Sequence, residues 1–229
     1  MGLSPEMLWE KVQLLPVLVP ALVIAAALHE LAHGLVADRL GDPTPRREGR
    51  LTLNPIRHLD PMGSAMFGIT FLLMPFAFGW ARPIMVQPRN FPNPKVGMGI
   101  VAVAGPITNF LLAYLTIVVL SGGLAESLLS GGNDYMFNAV WLFVYLNIVL
   151  GVFNLLPIPP LDGSRIVGMF LPDDAHETWS RLDAYGAVFL LAIFLLLSGP
   201  VFAIVGEGIE LALQVIYWLP GADPMLGLG

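Results

Sequence analysis

The chain has 229 residues, 56% of them hydrophobic and only 12% charged, whereas soluble domains usually carry about twice that charged fraction. Apolar runs of about 20 residues recur, which marks a polytopic membrane protein. The net charge of −6 leaves no basic footprint for nucleic acid, and the absence of cysteine removes disulfides and thiolate metal sites, so any metal must be held by His, Asp or Glu.

The first apolar segment covers residues 12–37 and is long enough to span, with Pro16 and Pro20 expected to disturb its first turns. Small residues at 25–27 imitate a signal-peptide cleavage site. Glu6 and Glu10 against a single Lys11 give the wrong flanking charge, however, and the run continues past the supposed cut, so a retained helix is expected. A polar stretch, 38–60, follows with Arg39, Arg46, Arg47, Arg50 and Arg57 and the turn pairs Gly41-Asp42 and Asn54-Pro55. Within it, "RLTLN" alternates like a short strand.

Segment two, 62–80, is apolar but holds Gly63, Gly68, Pro75 and Gly79, and is followed by the extended, Pro-rich "RPIMVQPRNFPNPK". Segment three is 96–120, the loop 121–135 is Gly-rich and acidic, and segment four is 136–156, ending in "NLLPIPPLDG". A polar stretch, 173–183, leads to segment five, 184–205, interrupted at Gly199-Pro200. A last apolar piece, 204–219, contains Glu207 and Glu210 and is either a span or an interfacial helix. No internal repeat is visible. The expectation is a single membrane domain over 1–229, its core at 12–170 and C-terminal helices at 184–219, with no appended soluble domain.

His29-Glu30-Leu31-Ala32-His33 is an H-E-x-x-H sequence. Residues four apart on a helix share a face, separated by ~6 Å along the axis. Both imidazoles then reach one tetrahedral Zn²⁺, and Glu30 can act on the metal's water. The alternative is a hydrogen-bonded helix contact or a proton relay, since a glutamate at bilayer depth costs about 2.5–3.5 kcal/mol and needs a partner. Two histidines do not close a site, and Asp162 in "NLLPIPPLDG" is the candidate third ligand. It follows a Pro-rich break where backbone can leave helical geometry if it lines a cavity; its alternative role is an ordinary helix N-cap. His58, in an Arg-rich loop, and His176, in an acidic one, are read as solvated or locally bonded rather than as ligands.

The pair of motifs resembles the site-2 protease family of intramembrane zinc metalloproteases. "NPIRHLDPMG", "GWARPIMVQPRNF" and "VAGPITNFLLA" extend the likeness to its compact bacterial branch, over residues 26–165. The resemblance implies one zinc ion per chain held by His29, His33 and Asp162, with Glu30 as general base. It implies that Asn154 positions substrate or stabilises the oxyanion. It places Asn109 in the family's G-P-x-x-N motif, where a catalytic role and a helix-packing contact are equally open. A transmembrane protein is the implied substrate and the lipid bilayer the surrounding partner.

A shared zinc constrains topology. His29 and His33 lie toward the end of segment one and Asp162 just past the end of segment four. Those ends fall on opposite sides if segments two and three both cross. Segment two is flanked by basic residues on both sides, and from Val96 to Ser164 there is no Lys or Arg. The positive-inside rule puts both basic loops, and the metal site beside them, toward the cytoplasm and the 121–135 loop outside. The fold expected is therefore an all-α polytopic protein of the cell membrane. It has three transmembrane helices carrying the metal site, a re-entrant or β-hairpin region near the cytoplasmic face (a shallow true span of segment two being the alternative), and extra C-terminal helices. "RLTLN" and "RPIMV" are its possible paired strands, and the exposed edge of either is a site for substrate to add as a strand.

Two other functions share these features. An ion carrier would use His29, Glu30 and His33 as a pathway and would need further ionisable groups along other helices; Glu207 and Glu210 are the one such pair. A non-catalytic family member binding membrane proteins would most simply have lost one of the four key residues, and all four are present.

Overall fold

The computed structural model describes residues 5–73, 77, 79–132 and 134–222. Among these the chain is predominantly helical and forms no strand. Helix α1 (Pro5–Arg39) runs continuously through Pro16 and Pro20; in membrane helices, neighbouring groups take up the carbonyls that proline leaves free. A short α2 (Thr44–Arg47) and a 3₁₀ turn (Pro55–His58) lead to α3 (Pro61–Leu73). After a second 3₁₀ turn (Pro88–Asn90) come α4 (Pro94–Val119), a π-turn (Leu120–Leu124) and α5 (Ala125–Ser130). Then follow α6 (Asp134–Asn154), α7 (Asp162–Phe170), α8 (Asp173–Arg181), a 3₁₀ turn (Leu182–Tyr185) and α9 (Gly186–Trp218).

Four of the described helical stretches are long and apolar enough to cross a membrane: Trp9–Arg39, Pro94–Ser130, Asp134–Asn154 and Gly199–Trp218. The expected all-α polytopic character holds at this level. Segment five is interrupted as expected, α9 being two helical stretches that meet across a kink at Leu197 (φ −127°, ψ 26°), but the second stretch, Gly199–Trp218, takes in the end of segment five together with the last apolar piece. Pro200 lacks the N–H that would bond the Leu196 carbonyl, so the irregularity falls one turn before the proline rather than at it.

Helix α4 is the centre of the packing, touching α1, α6 and α7. Its small residues explain how. A Cβ on Gly97 would lie 2.4 Å from Phe91, one on Gly99 2.7 Å from the Met169 sulfur in α7, and one on Gly105 2.4 Å from the His29 ring in α1. Each glycine thus admits a different neighbour closer than any side chain would permit, which is how membrane helices gain contact where lipid is as apolar as leucine. The opposite face carries Ile107, Leu111 and Leu115, half exposed and spaced by one turn, as a lipid-facing stripe requires. Beyond the site, α4, α6 and α9 bury Ala113, Ile117, Val144, Ile148, Val205 and Ile216 together.

The polar stretch after α1 is tied to residues 82–90 by side chains rather than by a ladder. Asp42, fully buried, accepts from the backbone N–H of Thr44 and Gln87, the Thr44 hydroxyl and the Asn90 amide. Burial alone would raise the Asp42 pKa; these donors more than offset it and hold the carboxyl below its ordinary range. The buried Arg50 guanidinium donates to the carbonyls of Arg57 and Arg82. The expected strands "RLTLN" and "RPIMV" accordingly do not pair. One isolated antiparallel bridge, Leu59 to Ala81, stands in their place, supplemented by the Arg82 N–H on the His58 carbonyl at 2.8 Å. Arg50 occupies the Arg82 carbonyl a ladder would use, and Pro55, Pro83 and Pro88 have no N–H to give. His58 is 1% exposed, with Nε2 on the Thr52 carbonyl at 3.0 Å, so it is locally bonded but not solvated. His176 Nδ1 donates to the Gly168 carbonyl at 2.9 Å.

Of segment two, residues 74–76 and 78 lie outside the described residues. Helix α3 has 13 residues, about 20 Å against an apolar bilayer thickness of about 30 Å. The chain is back beside its entry point by Gly79 and Trp80: a Cβ on Gly63 would lie 2.1 Å from the Trp80 carbonyl oxygen.

Candidate metal centre

His29 and His33, one turn apart on α1, both turn toward α4. His33 Nδ1 lies 2.7 Å from the Val101 carbonyl oxygen, and His29 Nδ1 lies 2.6 Å from Asn109 Oδ1. A carbonyl oxygen only accepts, so Nδ1 carries the proton of His33 and leaves Nε2 with a lone pair. The Asn109 amide is oriented the same way, because its Nδ2 donates to Asn147 Oδ1 at 2.9 Å. His29 therefore also points a lone pair inward from Nε2.

Asp162 arrives from a different element, α7, which also packs on α4. Helix α6 ends at Asn154, the chain turns through Pro157, Pro159 and Pro160, and α7 begins at Asp162. Buried Leu161 anchors this turn in the core cluster. Gly163 lets α7 start tight against it: a Cβ there would sit 2.2 Å from the Leu155 carbonyl oxygen and 2.4 Å from that of Leu156. The N-cap position is Leu161, with no side-chain cap bond, so Asp162 is not spent on capping. Its carboxylate faces the histidines instead, at the electropositive end of α7.

The three donor atoms form a small, nearly equilateral triangle. His29 Nε2 and His33 Nε2 are 3.0 Å apart, and Asp162 Oδ2 lies 3.1 Å from the first and 3.2 Å from the second. All three residues are buried, and among the described residues nothing donates a hydrogen bond to Asp162 Oδ2. Two imidazole lone pairs and a carboxylate oxygen converging out of water repel one another unless a cation lies among them. Tetrahedral zinc with bonds of about 2.0–2.2 Å sets its ligand atoms about 3.3 Å apart. The donor set and spacing fit such an ion, and among the described residues these three make up the one group of three or more His, Cys, Asp or Glu able to hold a metal.

The profile of peptidase family M50 matches residues 132–198, which include α6 and Asp162. Across a longer stretch, the chain is 41% identical over 192 residues to YwhC of Bacillus subtilis, named a candidate zinc metalloprotease, covering 82% of this chain and 84% of that protein. The chain belongs to peptidase family M50. Rip2 of Mycobacterium tuberculosis strain H37Rv, which bears the same kind of name, is 28% identical over 199 residues, 86% of this chain and 70% of its own. MJ0611 of Methanocaldococcus jannaschii, likewise, is 31% identical over 145 residues, 61% of this chain and 62% of its own. No solved structure matches the chain.

Glu30, next to His29 and half-buried, accepts the backbone N–H of Ile84 on Oε2 at 2.9 Å. The stretch read from sequence as a possible edge is thereby anchored on Glu30. Along it Ile84 is buried and Met85 exposed. Asn109 is fully buried against His29. Asn154 closes α6 with its amide on the Leu150 carbonyl at 2.9 Å. Sequence reading missed Asn147, whose signal was an uncompensated amide inside an apolar run. It also missed the Val101 carbonyl, which has no sequence signal at all.

Proposed function

We propose that this M50 chain is a zinc-dependent endopeptidase that hydrolyses peptide bonds of membrane-embedded substrates at the His29–His33–Asp162 centre. The observation that carries the reading is the buried triangle of three mutually repelling donors with Glu30 beside it. The names of the relatives supply zinc as the metal. Bound there, zinc would polarise a scissile carbonyl and bring a water's pKa to about 7. Glu30 takes the water's proton and passes it to the leaving amine. The Ile84 N–H fixes one oxygen of that carboxylate and so its orientation. Asn109 holds the His29 ring; Asn154 is the candidate donor to the developing oxyanion.

Membrane-embedded substrates are supported by a groove of about 510 Å³ between α1, α4 and α7, lined by Ala32, Val36, Ile100, Ala104, Thr108 and Met169. Ala32, Ala104 and Thr108 are chain neighbours of His33, Gly105 and Asn109. A helical substrate hides its carbonyls and must unwind locally, and the 82–86 stretch beside Glu30 is the proposed surface for holding it extended.

The test is direct. Purified protein should hold about one zinc per chain and cleave a transmembrane substrate in bilayers. A strong chelator should abolish both, and zinc should restore both. Metal-free protein with undiminished cleavage would overturn the proposal.

The proposed orientation has residues 62–80 dipping into the bilayer and returning, with the metal site toward the cytoplasm. The shortness of α3, the bridge between Leu59 and Ala81 and the basic flanks support it. A topology reporter fused after Gln87 should read cytoplasmic. An external reading would mean that the segment crosses.

A further inference from the structure

The polar chain behind His29 does not stop at Asn109. Asn147, on α6, is also fully buried, one turn after the apolar Val144 and next to Ile148. Its Nδ2 donates to the Phe143 carbonyl at 2.8 Å. That bond settles which way the Asn147 amide faces, because a backbone carbonyl cannot donate. Asn147 Oδ1 is left as the acceptor for Asn109 Nδ2 at 2.9 Å, and Asn109 Oδ1 is then the acceptor for His29 Nδ1 at 2.6 Å. A fixed carbonyl on α6 thus dictates, through two amides, which nitrogen of His29 bears the proton.

We infer that Asn147 is a positioning residue for the metal centre: it locks Asn109, and through it His29, in the tautomer that presents Nε2 to the ion. The inference rests on His29 being a metal ligand. Without Asn147, Asn109 has no partner to set its orientation. It can turn its NH₂ toward His29, which selects the opposite tautomer, with Nε2 protonated and unable to bind. His33 needs no such relay, because the Val101 carbonyl holds it directly. Asn147 also makes the register of α6 against α4 part of the site, so the helix that delivers Asp162 at its far end orients His29 partway along its length. Two amides buried between apolar helices would otherwise carry a desolvation penalty with nothing gained.

The pair of substitutions that separates this role from packing is Asn147→Leu and Asn147→Asp. Leucine fills the space without hydrogen bonds. Aspartate, buried and neutral, reproduces the pattern: its hydroxyl donates to the Phe143 carbonyl and its carbonyl accepts from Asn109. Zinc affinity of the purified full chain is measured by competition with a chromophoric chelator. The protonation of the His29 ring nitrogens is read by ¹⁵N spectra of the metal-free protein. Loss of such an outer partner typically weakens binding about 10–100-fold. Asn147→Leu is expected in that range with mixed His29 tautomers, and Asn147→Asp within a few-fold of wild type. Wild-type affinity in Asn147→Leu, or equal weakening in Asn147→Asp, would overturn the inference. The wild-type spectrum tests it even if a variant does not fold: His29 protonated on Nε2 refutes it. Wild type that binds no zinc but keeps His29 protonated on Nδ1 instead refutes the underlying metal reading and leaves the relay intact.

Discussion

Glu30→Gln should leave zinc content at about the wild-type level while cutting cleavage of a transmembrane substrate by about 10²–10⁴-fold, the range that a positioned general base contributes. Glutamine has the size of glutamate and keeps a carbonyl oxygen that can accept the Ile84 N–H, a bond of 2.9 Å in the native chain. The stretch 82–86 therefore stays anchored and the helix is undisturbed. What glutamine lacks is a basic oxygen. Metal analysis and a cleavage assay on the same preparation separate the outcomes. Undiminished cleavage would remove Glu30 from the reaction. Loss of zinc together with cleavage would make it a structural support of the centre rather than its base.

The parts of this site that were legible in sequence are those whose geometry is local. H-E-x-x-H announces two imidazoles on one helical face because the helix sets their spacing. Asp162 was legible only as a candidate, since an aspartate after prolines is also ordinary turn chemistry. The fact that supports the ligand reading, that Leu161 holds the cap position while the carboxylate faces α1, belongs to the tertiary structure. The all-α membrane architecture followed from hydrophobic length alone. Pairing between "RLTLN" and "RPIMV" did not follow, because alternation predicts a strand but not the Arg50 guanidinium that takes the Arg57 and Arg82 carbonyls. The same knot buries His58 in a loop whose composition reads as solvated. Asn147 escaped for another reason. Its partner is 38 positions away, and a lone amide in an apolar helix does not say what it faces.

Gly105→Ala tests how much of the centre depends on one missing methyl group, and zinc binding is expected to fall at least about 100-fold. A Cβ at this position would lie 2.4 Å from His29 Cε1, 2.5 Å from His29 Nε2 and 2.5 Å from His33 Nε2. Such separations are far inside van der Waals contact between heavy atoms, about 3.5–4.0 Å. Both imidazoles or the α1–α4 interface must therefore move by about 1 Å, and ordinary overpacking of that kind costs about 1–3 kcal/mol. The rings cannot simply rotate away, since each is held at Nδ1, one by Asn109 and the other by Val101. Asp162→Ala should lose zinc comparably by a different route, removing the single anionic donor while leaving both histidines in place. Gly68→Ala is the matched control, because among the described residues nothing beyond its own helix backbone and chain neighbours lies within 4 Å of its added Cβ; it should bind zinc like wild type. Equal affinity in Gly105→Ala and Gly68→Ala would show that the α1–α4 contact is loose enough to absorb the methyl. The tight approach of α4 would then not be what brings the two imidazoles onto one ion.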